Sequence, residues 1–249
     1  TRLIHFFWVV DCSGSMYGEK IGIVNNTIQE CIPEMRSAAD NNPNAQLLIR
    51  ALQFSSGASW ITSSPVPVED YGWEDMDANG LTELGKAFDL LAAQLSIPPM
   101  PERALPPVIV LLSDGQPTDD YKKSMDRLKK LPWFRKAVKI AISIGQDADD
   151  EVLIEFTGNK ELVLQANNAT ALAKMIKWAS TTASMVSAPS SKPMNSVSTE
   201  ATAATAPGTS AVASIPADDP FAPANNGAPL VLDMSNIPNP DDFDEGAVW

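Results

Sequence analysis

The sequence predicts an α/β fold: a doubly wound, mostly parallel sheet with helices on both faces. Three observations point to it. Residues 3–10 (LIHFFWVV) and Val108–Ser113 (VIVLLS) are apolar, β-prone runs of the kind found in strands buried on both sides. Strand-like runs alternate with helical patterns through residue 186, which is the order of a parallel sheet with crossover helices. With 44% hydrophobic and 20% charged residues, the chain can bury a sizeable core.

The elements follow in order. After the first strand comes the polar loop DCSGSM, then a helix over 18–41 with Ile21, Val24, Ile28, Cys31, Ile32 and Met35 on one face. Pro33 lies inside that helix and is expected to kink or split it. Residues 47–54 read as a second strand and 58–62, extended towards Val68, as a third. An exposed-looking loop, EDYGWEDMDANG, leads to a helix over 82–97, and five prolines between 98 and 107 forbid regular structure. Beyond Val108–Ser113 the pattern gives a helix over 119–131, strand Val138–Ile144, a short helix over 149–156, a strand over 161–165 and a helix over 169–186. His5 lies inside the first strand and reads as a packed residue.

Residues 1–186 are therefore read as one domain. Residues 187–217 are rich in Ser, Thr, Ala and Pro without a period, as a linker is. Residues 218–249 are acidic yet studded with Phe221, Leu230, Val231, Leu232, Met234, Ile237, Phe243 and Trp249, a pattern expected of a docking tail.

The formal net charge of −13, with only 18 Lys and Arg, argues against a nucleic-acid partner. The basic residues of 122–139 read as a solvated helix face. No run approaches the ~20 apolar residues of a membrane span. The two cysteines, Cys12 and Cys31, fall on a strand end and more than three turns into the next helix, too far apart for a disulfide. Two reduced thiols suit a cytoplasmic location.

In open parallel sheets ligands bind beyond the carboxyl ends of the strands. Here both of the most apolar strands run into an aspartate, Asp11 and Asp114. Asp11 opens an Asp-x-Ser-x-Ser loop with Ser13 and Ser15, and Gly14 is expected to let the chain turn so that both serines face inward. One carboxylate and two hydroxyls are hard donors that suit Mg²⁺ or Mn²⁺. Asp114, and Thr82 at a helix start, can join them.

On these residues the chain resembles the von Willebrand factor A (VWA) family, a Rossmann-like fold. Its metal-ion-dependent adhesion site (MIDAS) combines such a loop with a later threonine and an aspartate after the fourth strand. The resemblance implies that Asp11, Ser13, Ser15, Thr82 and Asp114 bind the metal. WVVDCSGSMYGEKIGIVNNTIQECIPEM and VIVLLSDGQPTDDY further resemble the bacterial tellurium-resistance (TerY-type) branch. That branch implies a cytoplasmic role in tellurite and stress resistance beside a protein kinase and a metal-dependent protein phosphatase. Some of its members end in a zinc-binding module, whereas this chain has no cysteine after Cys31.

With mostly neutral ligands, a bound ion would keep positive charge and an open position for a partner's Asp or Glu. This is the chemistry of a protein-interaction module rather than an enzyme, since no base or nucleophile stands out. A metal-dependent phosphoryl-transfer enzyme and an extracellular adhesin on the same fold are the alternatives. Against the first, Ser13 stands where an aspartyl phosphotransferase needs a second aspartate, and the Gly-Lys-Ser/Thr ending of a phosphate loop is missing. Trp60 is expected in the core, while Tyr71 and Trp73 are candidates either for the core or for the rim of the metal site.

Overall fold

The computed structural model describes residues 2–41, 45–146 and 148–187, together with the pairs Val212–Ala213 and Leu230–Val231. Those two pairs run antiparallel to each other. Apart from them and from Ser187, the expected linker and docking tail lie outside the described residues.

Strand β1 (Arg2–Asp11) is central. It pairs in parallel with β2 (Ala45–Ser55) on one side and with β5 (Val108–Ser113) on the other. Parallel pairing continues through β6 (Val138–Ile144) to β7 (Val163–Ala166). On the far edge β2 carries two short antiparallel strands, β3 (Gly57–Trp60) and β4 (Val66–Pro67). The order is therefore β3-β2-β1-β5-β6-β7, with β4 beside β3 on the edge of β2. The expected doubly wound, mostly parallel sheet is present, with the single third strand divided in two.

Alternation along β1 sends its side chains into two cores. Ile4, Phe6, Trp8 and Val10 join α1 (Glu19–Asp40) and α6 (Ala169–Ser187) on one face. Phe7 and Val9 join α2 (Leu84–Gln94), α3 (Lys122–Lys130), α4 (Pro132–Lys136) and α5 (Asp150–Thr157) on the other. Cys12 and Cys31 are buried free thiols, which burial pushes up to about 12 and about 11.

Three departures from expectation have local causes. Helix α1 is not split at Pro33 but runs through it. Pro33 and Gln29, whose carbonyl the proline ring displaces, are both exposed, so water can take the lost hydrogen bond. The helix expected over 119–131 is present as α3, ending at Lys130, but a further short helix that was not expected follows it: Leu131 is extended (ψ 131°), as a residue before proline prefers, and Pro132 opens α4 at its first position. The acidic loop 69–80 is not a free excursion. Tyr71, Met76 and Ala78 sink into the core, and Arg36 donates to the carbonyls of Val68 and Tyr71 at 2.9 and 2.8 Å.

His5 is buried with neither ring nitrogen hydrogen-bonded. Burial lowers its pKa to about 4. The unfolded chain protonates this ring near its ordinary value of about 6.5, so between the two values the unfolded state binds more protons and stability rises with pH. The stabilisation is complete above about pH 6.5 and is lost progressively towards pH 4, a change on the order of 3 kcal/mol. His5→Phe should flatten the unfolding free energy between pH 4 and 6.5 in urea titrations. An unchanged slope would mean that His5 charges in the folded protein.

Candidate metal centre

The chain leaves β1 towards α1 on one face of the sheet and leaves β5 towards α3 on the other, so a crevice opens between the two strand ends. Register decides what enters it. Val10 pairs with Leu112, which sets Asp11 beside Ser113, and the Ser113 hydroxyl donates to Asp11 Oδ2 at 2.6 Å. The other oxygen of Asp11 accepts the backbone N–H of Ser13 at 2.8 Å. Ser13 Oγ and Ser15 Oγ are 3.0 Å apart, and Ser15 Oγ donates to Asp114 Oδ1 at 2.7 Å. Asp11, Ser13 and Asp114 are buried, while Ser15 is exposed.

Thr82 arrives from the other side on a fastened strap. Gly14 N–H donates to the Gly80 carbonyl at 3.1 Å, and Asn79 N–H to the Cys12 carbonyl at 2.8 Å. Thr82 and Thr118 exchange bonds, Thr82 N–H to Thr118 Oγ1 at 3.1 Å and Thr118 N–H to the Thr82 carbonyl at 2.9 Å. A Cβ placed on Gly115 would stand 3.6 Å from Ser15 Oγ and 3.8 Å from Thr82 Oγ1. The glycine therefore leaves open the space where the hydroxyls converge. All five residues expected at the metal line one crevice.

The profile of the von Willebrand factor type A domain matches residues 7–178. The chain belongs to the VWA family. Solved structures agree on the fold. A von Willebrand factor type A protein from Catenulispora acidiphila superposes with a TM-score of 0.53 at 14% identity, over 74% of this chain and 43% of that one. The ArnB paralog VWA2 from Sulfolobus acidocaldarius gives 0.52 at 19% identity, over 70% and 44%. Proximal thread matrix protein 1 from the mussel byssus, with a zinc-occupied MIDAS motif, gives 0.52 at 16% identity, over 72% and 45%. This VWA chain thus spans a little under half the length of these structures. No curated protein matches it in sequence.

The donor set fits a hard divalent cation. Among the described residues no cluster of three or more His, Cys, Asp or Glu side chains could hold a metal, so an ion in this crevice would lean on hydroxyls as well as on two carboxylates. Burial pushes the Asp11 carboxyl above its ordinary range, bonds from Ser113 and Ser13 pull it back, and the charge of Asp114 pushes it up again. A cation would relieve that strain. One already stands nearby: Lys20 Nζ donates to Asp114 Oδ2 at 2.7 Å.

Sequence reading missed Lys20, Ser113, Gly115 and Thr118. Ser113 was signalled only through strand pairing, because a strand-end serine gains meaning once β5 lies beside β1. Gly14 needs correction: it has no left-handed backbone, and Gly18 (φ 89°), at the entry to α1, makes the turn that needs a glycine. Of the two rim candidates, Tyr71 is buried in the core and Trp73 is partly buried against it. The exposed hydrophobics flanking the crevice are Tyr17 (79% exposed) and Leu81 (54%), on the two loops joined by the Gly14–Gly80 bond. Trp60, expected in the core, is partly buried against it, tilted against Phe7 at 5.9 Å and lying 4.1 Å from the Arg50 guanidinium. In the basic segment, Arg127 pairs with Asp89 at 2.9 Å on the surface and the half-buried Lys129 with Glu155 at 2.7 Å, while Lys136 is buried, so only part of the segment is a solvated face. No helix among the described residues is long and apolar enough to cross a membrane.

Proposed function

We propose that this VWA domain is a metal-dependent protein–protein interaction module. Asp11, Ser13, Ser15, Thr82 and Asp114 hold one Mg²⁺ or Mn²⁺ ion, and an Asp or Glu of a protein partner fills its open position. The observation that carries this reading is the convergence of three hydroxyls and two carboxylates on a crevice left open by Gly115. When bound, the ion supplies a fixed positive charge for the partner's carboxylate. The chain's own residues do the rest. Ser113 and the Ser13 N–H orient Asp11, Thr118 and the strap hold Thr82, and Tyr17 and Leu81 offer apolar contact beside the carboxylate.

The same geometry supports binding over catalysis. His5 lies six residues before Asp11 in an extended strand, on the order of 20 Å away, so no imidazole serves as base there. Within this reading the module works in a bacterial tellurite- and stress-resistance system in the cytoplasm, with a protein kinase and a metal-dependent phosphatase as partners. Its support is the likeness of residues 8–35 and 108–121 to that branch. Residues 218–249 serve as its docking tail, and deleting them is expected to change which partners the protein retains.

The test is calorimetry of the full chain with Mg²⁺, Mn²⁺ and Zn²⁺, paired with a pull-down in Mg²⁺ or chelator. One-site binding of Mg²⁺ or Mn²⁺, and partners released by chelator, are expected. Partners indifferent to chelator, or metal-dependent turnover of a phosphate ester that Asp114→Ala removes, would overturn the proposal.

A further inference from the structure

Lys20 stands in the first turn of α1, and its ammonium donates to Asp114 Oδ2 at 2.7 Å. The Asp114 side chain is fully enclosed (0% exposed), whereas that of Lys20 keeps 19% exposure. The lysine head lies beside Gly145, just past β6, where an added Cβ would come within 3.5 Å of Nζ and 3.9 Å of Cε. The side chain therefore reaches from α1 to the end of β6 and ends on the carboxylate. Ser15 occupies the other oxygen of Asp114, so both are engaged.

We propose that Lys20 is the resident counter-ion of the crevice: it neutralises Asp114 while no metal is bound and competes with the metal for it. The inference rests on Asp114 being a metal ligand, as proposed above. An enclosed carboxylate without a cation is costly, and Asp11 brings a second one close by. A lysine suits a removable counter-ion. It is a point charge on a flexible stem, whereas the planar fork of arginine would grip both carboxylate oxygens. The exposure that Lys20 retains gives its head a way out to water. An incoming divalent ion must displace the ammonium from Asp114 or sit beside a like charge, and either weakens its binding. A partner's carboxylate adds negative charge to the crowded site, so metal and partner should strengthen each other's binding reciprocally.

The test compares the full chain with Lys20→Met and Lys20→Arg, with Mn²⁺ and Mg²⁺ as probes. Lys20→Met is expected to bind either ion about tenfold tighter or more, because the competing charge is gone. Its metal-free melting point should fall by roughly 3–6 °C and recover on adding Mg²⁺. Lys20→Arg should bind metal more weakly than the parent. Unchanged or weaker metal affinity in Lys20→Met would overturn the competition, and an unchanged metal-free melting point would overturn the counter-ion role. Binding absent from all three proteins would remove the metal-site reading itself, and the competition with it.

Discussion

Replacing Asp11 by alanine is expected to abolish Mg²⁺ and Mn²⁺ binding while leaving the domain folded. Asp11 is one of two carboxylates in the crevice, and the only one facing no ammonium; its two oxygens are aimed by the Ser13 N–H and the Ser113 hydroxyl. Losing an outer partner of a metal ligand typically costs about 10–100-fold in affinity, so losing an anionic ligand should cost on the order of 100-fold or more. The Ser113 hydroxyl and the Ser13 N–H lose their acceptor, at a cost of about 2 kcal/mol that the domain should withstand because it is partly offset. The carboxylate is buried and its charge is disfavoured there, and its loss also relieves repulsion with Asp114. Asp11→Asn keeps the shape and removes the charge, and it should lose metal almost as completely. Calorimetry on both variants, with circular dichroism as the control for folding, decides the matter. Undiminished affinity in a folded Asp11→Ala protein would place the ion elsewhere.

Asn25→Leu is expected to weaken both the fold and the metal centre, although Asn25 is not among the proposed ligands. From within α1 its Oδ1 accepts the Trp73 indole N–H at 3.1 Å and the Met76 N–H at 3.0 Å, while its Nδ2 donates to the Met76 carbonyl at 2.9 Å. One buried amide thus pins the middle of the strap that continues through Gly80 and Leu81 to Thr82. Leucine fills the same space but strands three polar groups, at a cost of about 3 kcal/mol, or roughly 6–12 °C in melting point. Metal affinity should fall about tenfold, because Thr82 is held only as firmly as the strap. Urea unfolding and metal calorimetry on the same variant separate the two effects. Destabilisation with unchanged affinity would mean that the strap is scaffolding alone.

Reading the chain residue by residue already named the five side chains that line the crevice between β1 and β5. Runs such as VIVLLS can be satisfied only by burial on both faces, so β1 and β5 declared themselves, and each ran into an aspartate. An Asp-x-Ser-x-Ser loop is compact enough for its donors to be recognised together. Thr82 was harder, since a threonine at a helix start is as often a cap as a ligand; it gained weight only beside the others.

Pairing was not legible. Periodicity reports how deeply a strand is buried and says nothing of its neighbour. That β1 lies between β2 and β5 came from the crossovers, and Ser113 with it. The acidic segment 69–80 looked like an exposed loop because its composition is polar, yet three small contacts, Tyr71, Met76 and Ala78, were enough to draw it into the core. Of the two places left open for Tyr71 and Trp73, the core is the one they take, and Tyr17 and Leu81 were overlooked.

The sequence by itself determined most of the elements, the two strands that run into aspartates and the hard oxygen donors, because local patterning records burial and ligand chemistry. Only the tertiary structure decided that Lys20 lies on Asp114, Ser113 on Asp11 and Asn25 on the strap that leads to Thr82. These contacts join residues 94, 102 and 51 positions apart, and such distances close only when the sheet assembles.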